Sequence, residues 1–240
     1  MTSKYFNFSD VLGYGWRVMK ANFWFFVGVG VVFIVVSYLP AIARFGVRSL
    51  HLPRAYDITV GFLFQILGWA ISVGLGIGLI KIALSFCDEQ KPEFGTLFAA
   101  TDCFWRYLGA MIVYTLIIFA GFILLIIPGI IWSIKFCFCY YFIVDKGLGP
   151  IKALKASSRT TMGVKWELFG FGILCTLINM LGLLCLVVGI FVTFPVVIVA
   201  NALIYRQLLA QTTVDLAEFG FGQTALSEPI PTLPVNENLQ

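Results

Sequence analysis

The chain has 240 residues, 60% of them hydrophobic and only 12% charged, with a mean hydropathy of +0.96 and a formal net charge of +4. A soluble domain carries about a quarter charged residues to keep its surface wet, and the apolar residues here fall in blocks too long for a soluble core to hide. A water-soluble globule is excluded, and the bilayer must solvate the apolar surface of an all-α, polytopic membrane protein.

Residues 1–22 read as an N-terminal interfacial segment, with an amphipathic helix over Ser9–Lys20. The first span follows at about Phe23–Ala43. Ala41-Ile42-Ala43 resembles a signal cleavage site, but the apolar run exceeds the usual core of about 7–15 residues and follows amphipathic chain, so an uncleaved span is expected. The second span is Thr59–Ala83, where Gly68, Ser72 and Gly76 put small residues at four-residue intervals for close helix packing. Phe94–Trp105, after Pro92, reads as a second interfacial helix, and the third span runs Tyr107–Ile127. Pro128-Gly129 is expected to form a hairpin turn, since proline lacks the helical donor and glycine tolerates a helix stop. The fourth span, Ile130–Val144, is short against the ~20 helical residues a bilayer requires, so it crosses only if its ends extend or the bilayer thins locally.

A third interfacial helix is expected over Pro150–Met162, with proline suited to its first turn. Lys152, Lys155 and Arg159 share one face, while Ala153, Ser157 and Thr161 form a small-residue stripe on another. The last two spans, Glu167–Val188 and Ile190–Leu209, are separated by little more than Gly189. Residues 23–214 thus constitute the transmembrane domain. Residues 215–240, with Pro229, Pro231, Pro234 and no basic side chain, read as a disordered cytoplasmic tail.

With the N-terminus inside, twelve Lys and Arg fall on the cytoplasmic side. Three (Arg44, Arg48 and Arg54) fall outside, and Lys135 lies within a span. The positive-inside rule therefore predicts six spans with both ends in the cytoplasm. Trp16, Trp24, Trp105 and Trp166 lie where interfacial segments meet spans, as an aromatic belt requires. Interfacial helix, span, turn and span recur three times, and aligning Leu12 with Leu154 also aligns Arg17 with Arg159 and Trp24 with Trp166.

Few side chains suggest chemistry. Lys135 is the one charge well inside an apolar run, where an ammonium costs about 3 kcal/mol unless it snorkels or finds a partner. Asn179 and Asn201 are the conceivable partners; otherwise they are interhelical packing groups. Lys152, Lys155, Arg159 and Lys165 make a basic face suited to anionic lipid headgroups. Asp88, Glu89 and Glu93 read as a solvated run, and Asp145 and Glu167 as boundary residues, so no buried acidic pair is expected. The six cysteines lack metal or redox spacing and the sole histidine, His51, has no second ligand nearby. The sequence therefore gives no catalytic residues, no metal site, no cofactor and no nucleic-acid partner.

Ile127–Phe169 resembles a signature of bacterial multipass proteins that include the YciC-type inner-membrane proteins and the membrane domain of some glycerophosphodiester phosphodiesterases. The positions that carry the resemblance are Pro128, Gly129, Asp145, Ala153, Ser157 and Gly163. It implies a cytoplasmic-membrane protein and imports no phosphodiesterase chemistry, which belongs to a soluble domain this chain has no room for. The function expected is a non-enzymatic organising or accessory role in the membrane; the alternative is a small-solute or lipid transporter. Reporter fusions after Gln240 and within Arg48–Arg54 should report cytoplasmic and external locations respectively; an external C-terminus would sink the six-span topology.

Overall fold

The computed structural model describes residues 6–48, 54–98, 103–124, 126–184 and 189–212. The expected tail, most of the loop containing His51, and Cys185 lie outside the described residues. Among those described there is no strand. The helices are α1 (Phe8–Ala21), α2 (Phe23–Arg48), α3 (Arg54–Cys87), α4 (Phe104–Leu124), α5 (Ile126–Lys135), α6 (Cys139–Lys146), α7 (Pro150–Thr160), α8 (Lys165–Leu184) and α9 (Ile190–Ala210). Among the described residues six stretches are long and apolar enough to cross a membrane, with α5 and α6 together forming the fourth. The protein is an all-α, multi-pass membrane protein.

Local chemistry sets several boundaries. Asn7 caps α1 by accepting from the Ser9 N–H at 3.1 Å. Gly147, at φ 62°, ends α6 in the left-handed conformation, and Pro150 opens α7 where its missing N–H has no helical partner anyway.

The spans form three hairpins: α2 with α3, α4 with α5–α6, and α8 with α9. In the first member of each, 17%, 11% and 22% of the apolar window is buried; in the second, 44%, 28% and 61%. The second members therefore build the interior while the first present apolar side chains to lipid. We call the end where α2, α4 and α8 begin the basic end, and the other the hairpin end.

Each hairpin is preceded by a segment that docks on the second member of the hairpin before it, in cyclic order. Gly15 of α1 meets α9 so closely that a Cβ would lie 2.6 Å from the Val196 carbonyl oxygen. Leu97, in a 3₁₀ turn at Phe94–Phe98, presses its backbone against Gly78 of α3, leaving no room for a side chain there. Ser157 and Thr161 at the end of α7 reach the Lys135 carbonyl at the end of α5. The sequence repeat is thus structural, and it closes into a pseudo-threefold ring. In register, Val11, Gly15 and Met19 of α1 match Ala153, Ser157 and Thr161, and all six are buried.

Three expectations need correction. The hairpin turn does not lie at Pro128-Gly129. Both are inside α5, with proline in the first turn where no donor is needed. Gly129 instead permits close packing on α4, its Cα being 2.9 Å from where a Cβ on Gly121 would fall. The expected helix at Phe94–Trp105 is replaced over Phe94–Phe98 by the 3₁₀ turn, tightened against α3 by Leu97, which is almost fully buried. The fourth span meets the condition set for it by extending at both ends, so its bounds become Ile126–Lys146 in place of Ile130–Val144, and it is broken.

Hydrogen-bond accounting explains how the break survives without water. The Cys139 N–H turns back to the Phe136 carbonyl at 3.0 Å, which orphans the Lys135 carbonyl one turn away. That carbonyl accepts from the Ser157 hydroxyl at 3.0 Å and the Thr161 hydroxyl at 3.2 Å. The Phe138 N–H donates to Ser157 Oγ at 3.2 Å. Unsatisfied backbone groups at such depth cost several kcal/mol, so α7 makes the break tolerable. Ser157→Ala should therefore lower unfolding stability by about 1–3 kcal/mol in detergent, whereas Ser158→Ala on the same helix should change it little. Equal effects would mean that α7 does not clamp the break through Ser157.

Candidate functional site

The three second spans converge at the basic end on a charged cluster. Arg206 of α9 donates through Nη1 to Asp145 Oδ2 of α6 at 3.0 Å and through Nη2 to Asp88 Oδ2, just past α3, at 2.5 Å. Side-chain exposure is 9% for Arg206, 9% for Asp145 and 31% for Asp88. These residues are equivalent under the pseudo-threefold, each standing ten residues beyond its docking contact (Val196 before Arg206, Gly78 before Asp88, Lys135 before Asp145). The Lys146 ammonium lies 3.5 Å from Asp145, so two carboxylates are balanced by two cations.

An aromatic plug seals the cluster from the interior. The Tyr205 hydroxyl donates to Asp145 Oδ2 at 2.9 Å, and its ring, fully buried, stacks on Tyr141 at 5.3 Å and meets the edge of Phe142 at 5.1 Å. On the other flank the Tyr14 hydroxyl of α1 donates to the Phe86 carbonyl at 2.8 Å. Burial first, then the nearby Cys87, Glu89 and Asp88, push this phenol up to about 12, so it remains a neutral donor at physiological pH.

Reading Asp88 as solvated and Asp145 as a boundary residue missed this arrangement. Both carboxylates are recruited by one arginine, and the Asp145 side chain is only 9% exposed. The signal lay in the internal repeat: the ends of the three second spans carry Asp88, Asp145 and Arg206 at equivalent distances from their docking contacts, two of one sign and one of the other.

A second feature is a groove of about 540 Å³ between α5–α6 and α8, reaching Asn201 of α9. Its walls are mostly apolar, with Ser133, Tyr141, Thr176 and Asn201 as polar rungs. Three rungs bond back onto their own helices: Ser133 to the Ile130 carbonyl at 2.7 Å, Thr176 to Gly172 at 2.9 Å and the Asn201 amide to Val197 at 2.8 Å. Their remaining lone pairs face an otherwise greasy slot.

The polar residues expected to act together do not meet. The Lys135 ammonium lies over the Phe136 ring, 5.4 Å from its centroid, and makes no hydrogen bond to Asn179 or Asn201. Asn179 keeps a buried side-chain oxygen without a hydrogen-bond partner. On α7, Lys152 and Lys155 are exposed, whereas Arg159 and, at the start of α8, Lys165 are half-buried. The five described cysteines form no disulfide.

A family described as a domain of unknown function, DUF7847, matches residues 56–228, which take in five of the six spans and the whole charged cluster. The chain belongs to the DUF7847 family. It is also similar to Uncharacterized protein Mb2590 of Mycobacterium bovis and Uncharacterized protein Rv2560 of Mycobacterium tuberculosis, each 28% identical over 161 residues. That alignment covers 65% of this chain and 48% of each relative, so the chain spans about half the length of the curated relatives it matches. No solved structure matches the chain.

Removing one partner of a buried ion cluster leaves an uncompensated charge, which costs about 3–5 kcal/mol. Arg206→Met should therefore lower unfolding stability by up to about that much, because Asp145 loses its guanidinium partner and keeps only the Lys146 ammonium at 3.5 Å. Asp88→Asn should cost clearly less, its carboxylate being the most exposed member. Chemical unfolding in micelles, followed by tryptophan fluorescence, would show the order; a reversed order would mean that Asp145 is not the carboxylate the arginine neutralises.

Proposed function

We propose that this DUF7847 protein is a non-enzymatic accessory protein of the bacterial cytoplasmic membrane, holding an amphipathic membrane component in the groove between its fourth and fifth spans. The observation that carries this reading is the direction of access. The centre of the bundle is filled, with Ile77, Phe142 and Tyr205 solvent-inaccessible and the charges at its basic end neutralised in a knot. The 540 Å³ groove instead lies between two helices at the bundle's flank, where lipid or a neighbouring chain can enter from the side. Apolar walls with a few fixed polar groups are the usual composition of a site for a largely apolar ligand.

The charge asymmetry supports an orientation with the basic end in the cytoplasm. Lys152 and Lys155, together with Arg159 and Lys165, then engage anionic headgroups of the inner leaflet, each contributing about 1 kcal/mol. The resemblance of the Pro128–Gly163 region to YciC-type inner-membrane proteins supports the same compartment.

One observation favours a second reading, lipid transport: the polar rungs are contributed by spans four, five and six, as the lining of a path would be. A photo-crosslinking residue in place of Thr176, activated in native membranes, tests occupancy. A discrete lipid or protein adduct is expected, and it should disappear when Ser133→Leu fills the groove. Absence of any adduct above that from a lipid-facing control at Leu116 would sink the groove reading. Reconstituted vesicles separate the two functions: the accessory role predicts no lipid flux above empty vesicles, and flux abolished by Ser133→Leu would establish transport.

A further inference from the structure

At the hairpin end, α2 and α3 enclose a second polar space that neither the charged cluster nor the lateral groove involves. It measures about 400 Å³ and is lined by Ser37, Tyr38, Arg44, Gln65, Trp69 and Ser72, among others. A slot of this volume is within the range of small-molecule sites, about 300–1,000 Å³. Unlike the purely apolar cavity between α2, α3 and α9, it gathers a guanidinium, a carboxamide and three hydroxyls in one place.

Two features distinguish its polar wall. The Arg44 Nε and the Ser37 hydroxyl oxygen are both buried, and neither finds a hydrogen-bond partner. A buried polar group without a partner costs about 1–3 kcal/mol, and more when charged. The seat of the guanidinium is also shaped. It lies against the backbone of Gly61, where a Cβ would fall 2.9 Å from Nη2 and 3.0 Å from both Cζ and Nε, so Nη1 is the nitrogen that α3 does not cover at this glycine. About two helical turns deeper along α3, Gly68 admits the Pro40 ring at 3.4 Å, bringing the two helices together below the arginine. The Ser72 hydroxyl is committed to the Gly68 carbonyl at 2.9 Å, so it offers lone pairs to the slot.

We propose that this slot binds a phosphate-bearing group, with Arg44 as the charge partner and Ser37 as a hydroxyl donor. A guanidinium presents a planar fork that matches phosphate oxygens, and charge-assisted bonds of this kind are about twice as strong as neutral ones. Gln65 and the acceptor lone pairs of Ser72 lie further along α3, suited to hydroxyls attached to the phosphate. The same chemistry could come from a lipid headgroup entering between α2 and α3 or from a small soluble phosphate.

The test uses the full chain in nanodiscs containing phosphatidylglycerol with a photoactivatable headgroup, with adducts mapped by mass spectrometry. Labelling within Ser37–Arg44 or Gly61–Ser72 is expected, separate from any labelling near Lys152 and Lys155. Arg44→Gln should reduce adducts at the slot about fivefold, the loss of roughly one favourable charge contact. Gly61→Leu keeps the charge but takes the guanidinium's seat, and it should reduce them too, so a poorly folded Arg44 variant does not leave the question open. Inorganic phosphate that suppresses labelling at millimolar concentration would assign the slot to a soluble phosphate; labelling indifferent to phosphate would assign it to the lipid. Labelling confined to the basic end, or unchanged in both folded variants, would overturn the proposal.

Discussion

The architecture depends on a single guanidinium. Arg206 draws together the ends of three helices from three hairpins, because its two carboxylate partners come from the other two. A charge so placed is tolerable only when neutralised, and neutralisation requires both other hairpins to be present and in register. The apolar contacts of the second spans tolerate sliding, since side chains in a lipid-like environment gain little from one partner over another. The ionic contact does not. It turns three similar helical hairpins into one defined assembly.

The pseudo-threefold then accounts for features that look unrelated along the chain. Docking by α1, by the 3₁₀ turn and by α7 solves one problem three times: each fills the space beside a second span with whatever chemistry that span requires. Where α9 is a continuous helix, a glycine suffices. Where the fourth span is broken, Ser157 and Thr161 supply hydroxyls to backbone groups the helix has released. The units differ in the spaces they line. The gap between α5–α6 and α8 carries polar rungs, whereas the cavity bordered by α9 and α2 is apolar throughout.

Much of the fold is written in hydropathy, because span length and apolar composition answer directly to bilayer thickness. The six spans, the basic segment at Pro150–Met162 and its small-residue stripe were all legible. The break after Lys135 was not, since Phe136-Cys137-Phe138 contains no proline or glycine and the groups that satisfy it come from α7, about twenty residues away. Pro128-Gly129 misled because proline's two roles, ending a helix and opening one, look alike in sequence. The charged cluster was half-visible. Asp88 and Asp145 sit among other charges at span ends, and only their equivalence to Arg206 under the repeat separates them from solvated neighbours.

Trp24, Trp105 and Trp166 are each the second residue of a first span, and they are 81%, 78% and 82% exposed. Indole rings prefer the depth of the headgroups, and three points define a plane. Spaced around the ring, one per unit, they act as the feet of a tripod. Any tilt of the bundle would push one ring into hydrocarbon or lift another into water. Three such rings, one at the start of each unit, therefore resist tilting of the bundle and hold its basic end level with the headgroups.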